Sequence, residues 1–228
     1  MAIDGNFSDW TDIPVAYQGA DDGNPVNFSE VQFANDTNYL YGHFKLYSPY
    51  AAFSDYYTHL FVDADDNDQT GYSVGGALFG SDFMIESGFG YDQRNGSFNA
   101  GSVSALGWAI APKSAATEFE FRVSLAAAYP GGSKVFANES LRLLLQDDRG
   151  PENAVETGLP YTLAAPPAPA PGPLSISGAL GPITITWNGA GTLQCASSVN
   201  GSWTNLPSAT SPYVFLANAS RQFFRLTE

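Results

Sequence analysis

Thr117-Glu118-Phe119-Glu120-Phe121-Arg122-Val123 alternates charged and apolar side chains from Glu118 onward without a break. In an extended strand successive side chains point to opposite faces, so Phe119, Phe121 and Val123 face inward and Glu118, Glu120 and Arg122 outward. A helix would mix the two sets, so the stretch reads as a β-strand with one buried face. The same reading extends to its neighbours. Over residues 39–47, Leu40, Phe44 and Leu46 share one face, and Tyr39, Tyr41, His43 and Lys45 share the other. Further strands are expected at 30–34, 57–63, 82–87, 106–111 and 141–146, between turns rich in Gly, Asn, Asp and Ser. Only residues 124–129 have a helical pattern. Many short strands between turns define an all-β chain, an antiparallel β-sandwich or jelly roll.

That domain ends at Ala164-Ala165-Pro166-Pro167-Ala168-Pro169-Ala170-Pro171-Gly172-Pro173, where five of ten residues are proline. Proline lacks the N–H and fixes φ, so the segment joins neither a helix nor a central strand. It favours an extended polyproline spacer of about 3.1 Å per residue, roughly 30 Å in all. The division is therefore a β-sandwich over 1–163, a Pro-rich linker over 164–173 and a small module over 174–228. In the small module Ile183, Ile185 and Trp187 alternate with Thr184 and Thr186, and short strands are expected at 193–196, 203–206, 213–216 and 222–226. A small fibronectin-like β-sandwich accounts for that pattern. Lacking a disulfide, it has marginal stability unless it docks on a partner.

Composition narrows the function. The 228 residues carry 9 basic and 23 acidic side chains, a net charge of −14, and 14% are aromatic. Phosphate backbones and anionic membranes both call for clustered Lys and Arg, so nucleic acid and membrane surfaces are disfavoured as partners. One cysteine, Cys195, leaves no internal disulfide and no thiolate zinc site. No apolar run approaches the about 18–20 residues that span a bilayer. The N-terminus, Met1-Ala2-Ile3-Asp4-Gly5, reads as a mature secreted chain whose leader was replaced by a start Met. Asn6, Asn27, Asn35, Asn95, Asn138, Asn200 and Asn218 each begin an Asn-x-Ser/Thr sequon. Chance predicts roughly two, so glycosylation of a secreted chain stands beside a simple excess of Asn in surface turns.

Two stretches carry chemistry. Asp63-Ala64-Asp65-Asp66-Asn67-Asp68 crowds five oxygen-bearing side chains into six residues, with no Lys or Arg nearby in sequence to relieve them. A hard cation with about six to eight oxygen ligands would do so, and calcium is the usual one. The Asp-x-Asp-x-Asn spacing begins like an EF-hand, but Asp68 and Val74 stand where that loop needs Gly and Glu, and no helices flank it. A solvated acidic turn is the alternative. The second stretch, residues 47–57, is dense in rings where a polar loop would be expected. Tyr50, Phe53 and Tyr56 are candidates for stacking on sugar faces, as is Trp108 after its Gly- and Ser-rich loop. Core packing is the alternative for each ring, and Trp10 reads as core. Catalytic signatures are lacking: His43 and His59 sit within strands, and Glu118 and Glu120 read as a solvated face. Met84 with either His is a conceivable haem ligand pair.

Ile3-Asp4-Gly5-Asn6-Phe7-Ser8-Asp9-Trp10 with Ile13-Pro14 resembles the opening of family 9-like carbohydrate-binding modules, in the DOMON-like β-sandwich group. The resemblance continues through Ala34-Asn35-Asp36-Thr37-Asn38-Tyr39-Leu40-Tyr41, Phe61-Val62-Asp63 to Thr70-Gly71-Tyr72, and Gly80-Ser81-Asp82-Phe83-Met84-Ile85-Glu86. It implies a jelly-roll-like sandwich, bound Ca2+ and attachment to secreted polysaccharide-active proteins. The expected calcium ligands are Asp63, Asp65, Asn67 and Asp82, and the resemblance implies a clamp of two rings, for which Trp108 is matched with Tyr50, Phe53 or Tyr56 as the second ring. The C-terminal segment resembles small β modules of secreted bacterial proteins. The resulting expectation is a secreted or cell-surface, non-catalytic, calcium-stabilised protein that binds a polysaccharide or oligosaccharide. A subunit of an extracellular filament, self-associating through edge strands, is the second reading, and a DOMON-type haem domain the third.

Overall fold

The computed structural model describes residues 1–74, 79–149, 158–164, 173–178, 182–189, 191–216 and 221–227. The chain is all-β and divides into two compact units, Met1–Ala165 and Pro166–Glu228. Most of the proline-rich stretch lies outside the described residues. In the first unit the strands are β1 Val15–Gln18, β2 Phe28–Asn35, β3 Tyr39–Tyr50, β4 Thr58–Asp63, β5 Tyr72–Ser73, β6 Gly80–Ser81, β7 Phe83–Glu86, β8 Phe89–Asp92, β9 Ala109–Ala111, β10 Ala116–Ser124, β11 Ser140–Asp147 and β12 Leu159–Thr162. Two antiparallel five-stranded sheets have the orders β1-β2-β3-β10-β9 and β12-β11-β4-β7-β8, and β5 pairs with β6 apart from them.

The sheets pack face to face through the side chains that the alternation assigns inward. Leu40, Phe44 and Leu46 of β3 and Phe119, Phe121 and Val123 of β10 meet Leu60 and Val62 of β4, Phe83 and Ile85 of β7, and Leu141, Leu143 and Leu145 of β11 in one buried cluster. Phe44 and Phe119 stack with ring centroids 5.1 Å apart. The outer faces depart from the sequence expectation. Phe61, Met84 and Leu144 form a second buried cluster with Val74 and Phe79, backed by Tyr72, Tyr91 and Phe98. This cover buries β4 and β7 on both sides.

The outer face of the other sheet is covered at β3 and β10 by a 3-10 turn, Phe7–Trp10. The Trp10 ring stacks on His43 with centroids 5.1 Å apart, and its indole N–H donates to Glu120 Oε2 (3.1 Å). The backbone N–H groups of Asp4 and Gly5 donate to Glu120 Oε1 at 2.8 and 2.7 Å. Glu120, expected to face solvent, is therefore fully buried, because the N-terminal segment folds over it and supplies three donors. Tyr41 and His43 are buried with it. His43 Nε2 lies 2.9 Å from Glu118 Oε1. Burial holds the His43 pKa below its usual value, against the pull of Glu118.

Residues 124–129 form no helix. Leu125 N–H donates to Asn38 O, and Ala127 N–H to Ser124 O at 3.0 Å, in a turn that buries Ala127 and Tyr129. Six residues cannot repay helix nucleation when such tertiary partners compete.

The second unit contains β13 Ser175–Ser177, β14 Pro182–Thr186, β15 Thr192–Ala196, β16 Thr204–Asn205, β17 Tyr213–Leu216 and β18 Phe223–Thr227. Its two three-stranded sheets are β13-β14-β17 and β16-β15-β18, and among the described residues Ile185, Leu193 and Ala196 are its buried apolar residues. Among the described residues no helix is long and apolar enough to cross a membrane.

Candidate metal centre and aromatic groove

The acidic loop leaves the end of β4. Asp63 is the last residue of that strand, fully buried, and by alternation on the outer side with His59 and Phe61. The following segment folds back against β6, an approach that depends on two glycines. A methyl group at Gly80 would stand 2.1 Å from the Thr70 carbonyl oxygen, and one at Gly71, where φ is +73°, 2.2 Å from that of Ser81. Thr70 closes the loop by donating its N–H to Asn67 O (3.1 Å) and its hydroxyl toward Asp65. Asn138, outside the loop, donates its side-chain amide to Ala64 O at 3.0 Å. Asp82 N–H donates to Val62 O (2.9 Å), which holds Asp82 beside the end of β4.

One carboxylate oxygen from each of Asp63, Asp65 and Asp82 consequently lies within 4.8 Å of the others. Asp63 Oδ1 accepts the Asn67 N–H and Asp82 Oδ2 the Ala64 N–H, both at 3.0 Å. Asp63 Oδ2 is enclosed and has no hydrogen-bond partner among the described residues. Burial, reinforced by Asp65 and Asp66, raises the Asp63 pKa from its usual value. Burial, followed by the charges of Asp65 and Asp63, pushes Asp82 up to about 6. Among the described residues no Lys or Arg pairs with any of the three, whereas Arg142 holds Asp66 and Arg94 holds Asp92. With oxygens within 4.8 Å, ionised Asp63 and Asp82 repel by roughly 3 kcal/mol at an effective dielectric constant of about 20. A hard divalent cation would reverse the sign of that energy, and all-oxygen donors suit calcium.

Of the four residues expected as ligands, Asp63, Asp65 and Asp82 converge. The Asn67 side chain instead accepts the Gln69 N–H at 3.1 Å, and its contribution is the N–H that orients Asp63.

A second feature lies near the start of β9. Trp108 is half-buried, stacked on the core ring of Phe121 (centroids 5.2 Å, 26° between planes) and 5.0 Å from Phe53. Phe53, Ser54, Ser87, Gly88, Trp108 and Lys113 are among the residues lining a groove of about 290 Å³. Two of the four candidate rings thus meet. Tyr50 is absent from the lining; its hydroxyl donates to Asp55 and its ring lies under Arg149, with the guanidinium carbon 3.8 Å from the centroid. Tyr56 also lies outside the lining and is 72% exposed. Ser87 and Lys113 were not anticipated; the Ser87-Gly88 pair signals only a turn, and a lone Lys signals nothing. Among the described residues the non-glycine positions with left-handed φ are Phe53, Ser87, Ala105 and Asp66, at +56°, +49°, +53° and +54°. Such backbone is uncommon for Phe and Ala, whereas Asp adopts it more readily and Ser87 takes it with Gly88 in the two-residue turn between β7 and β8. Here two of the four line the groove, one precedes Trp108 and one sits in the acidic loop.

The remaining candidates are distributed as follows. Asn6, Asn95, Asn138 and Asn200 are exposed, and Asn35 is half-buried, its amide donating to the Asp36 and Ala164 carbonyls. Asn27 is buried and its amide donates to Asp21 and Asp22, so a glycan there would require that turn to open. Asn218 lies outside the described residues. Met84 is fully enclosed with its sulfur 3.6 Å from the Gln93 amide nitrogen, and His59 Nε2 is held by Glu86 at 2.9 Å. Comparison with protein-family models, curated proteins and solved structures returns no match.

Proposed function

We propose that the first unit is a calcium-stabilised, non-catalytic carbohydrate-binding module of a secreted or cell-surface protein. The observation that carries this reading is the Trp108 groove. A half-buried indole, seated on Phe121 and flanked by Phe53, offers a rigid apolar surface to the C–H face of a sugar ring. The groove's volume of about 290 Å³ is near the small end for ligand pockets, roughly 300 Å³ upward, and suits a short oligosaccharide segment. Among the described residues its lining contains no carboxylate, so the reading assigns it binding rather than glycoside hydrolysis, which needs a carboxyl pair. Calcium enters as a structural ion: bound by Asp63, Asp65 and Asp82, it would fix the loop between β4 and β7. The resemblance to family 9-like modules supports both parts, and the seven sequons fit an extracellular setting.

A second reading, assembly into an extracellular filament, draws on the second unit. Val214 and Leu216, 56% and 69% exposed, share one face of β17, and Ile176 is 58% exposed. Affinity electrophoresis separates the two. The carbohydrate reading expects a monomer retarded by at least one polysaccharide gel in millimolar calcium and released by chelator. Unimpeded migration through every gel, with multimers in light scattering, would favour the filament instead.

A further inference from the structure

We infer that the Trp108 groove selects an anionic sugar, one whose ring carries a carboxylate or a sulfate ester; this rests on the carbohydrate reading. The chain as a whole carries −14, with 23 acidic residues against 9 basic. The groove has the opposite local balance. Among the described residues no Asp or Glu lines it, and its one charged residue is Lys113. Lys113 is exposed and makes no ion pair among the described residues, a state it shares with Arg122, Lys134, Arg221 and Arg225, whereas Lys45, Arg94, Arg142 and Arg149 are each held by carboxylates. Of the unpaired cations Lys113 is the one that lines this groove. The nearby acidic side chains are already engaged: Asp55 is paired with Arg149 at 3.1 Å and Glu86 with His59 at 2.9 Å. An ammonium group left uncompensated beside an aromatic wall, in a chain with so few cations, is a recognition element for an anion.

The neutral groups of the groove complete the pattern. Ser54 donates its hydroxyl proton to the Ala51 carbonyl, and Ser87 donates to the Asp55 carbonyl. Both oxygens therefore present only lone pairs to the groove and can accept from sugar hydroxyls. Lys113 is the donor, Ser54 and Ser87 are acceptors, and Trp108 with Phe53 forms the apolar wall. A uronic acid or sulfated sugar offers the matching set: one anionic acceptor, several hydroxyl donors and a C–H face. The net charge opposes polyanions at long range, but at physiological ionic strength this repulsion is screened beyond about 8 Å, and the Lys113 contact is local.

The test is calorimetric titration of the calcium-loaded full chain at physiological salt. The probes are an oligogalacturonate, its neutral methyl ester, a sulfated galactan oligosaccharide and a cello-oligosaccharide. The acid form is expected to bind about tenfold more tightly than its ester. Lys113→Gln is expected to level the two, the acid form losing about tenfold in affinity. The sulfated probe tells whether the shared requirement is anionic charge or the carboxylate itself. Equal affinity for acid and ester would overturn the inference and leave the carbohydrate reading standing. A preference that survives Lys113→Gln would overturn the role of Lys113, and failure of every probe would overturn both.

Discussion

Calcium added to the metal-free protein is expected to raise its melting temperature by roughly 5–10 °C, since saturation at about 100 times the dissociation constant adds about 2.7 kcal/mol. The effect originates in Asp63, Asp65 and Asp82, whose oxygens converge with no cationic side chain paired to them among the described residues. The pH dependence of the metal-free form provides a signature. The Asp82 pKa is raised from 3.8 unfolded to about 6 folded, first by burial and then by the Asp65 and Asp63 charges. A group raised in this direction contributes stability that is fully present below pH 3.8 and lost as pH rises through about 6. The shift corresponds to on the order of 3 kcal/mol. In chelator, melts should therefore improve between pH 7 and pH 5, the part of this window above general acid unfolding. With calcium bound the same pH change should bring no gain, because protons then compete with the ion. A melting temperature indifferent to calcium at neutral pH would contradict the site.

Trp108→Ala is expected to weaken binding of any glycan the module retains by about 30-fold, the equivalent of roughly 2 kcal/mol for an aromatic anchor. Truncating the ring also removes packing on Phe121 and Phe53. Loss of a large ring from a partly enclosed site lowers stability by up to about 3 kcal/mol, so the variant needs a calcium melt to show that it is folded. Trp108→Phe keeps a ring against Phe121 and should recover much of the affinity. Tyr56, exposed and outside the groove, provides the contrast: Tyr56→Ala should bind within about twofold of the parent, within the usual scatter of surface substitutions. Affinity insensitive to Trp108→Ala but lost in Tyr56→Ala would move the site to the exposed tyrosine loop.

The central strands were legible because one of their faces obeys a two-residue period. Phe119, Phe121 and Val123 read as core and are fully buried. The same pattern misassigned Glu120, since alternation registers the strand but not the distant segment that covers it. Glu120 satisfies the N–H groups of Asp4 and Gly5 and the indole of Trp10, contacts made across more than a hundred residues of chain. In β4 the alternation fails for a physical reason: all six residues are buried, because the acidic loop and its aromatic neighbours pack the second face.

Legibility at the site divided in the same way. Crowded carboxylates in residues 63–68 announce their chemistry locally, whereas Asp82 reaches them only through the Val62–Asp82 hydrogen bond between strands. The Asn67 side chain is spent on a turn, a choice that spacing alone does not reveal. Trp108 and Phe53 meet only because β10 sets Phe121 beneath both rings.

The most direct test is calorimetric titration of calcium into the chelator-stripped full chain, alongside an Asp63→Asn/Asp82→Asn double variant and Asp68→Asn. Removing two crowded charges should leave the double variant folded, and at least as stable as the metal-free parent. The account predicts a calcium site in the parent and in Asp68→Asn, where the side chain serves Gln69 outside the cluster, and none in the double variant. Absence of saturable calcium binding by the folded parent, or an undiminished site in the double variant, would contradict it.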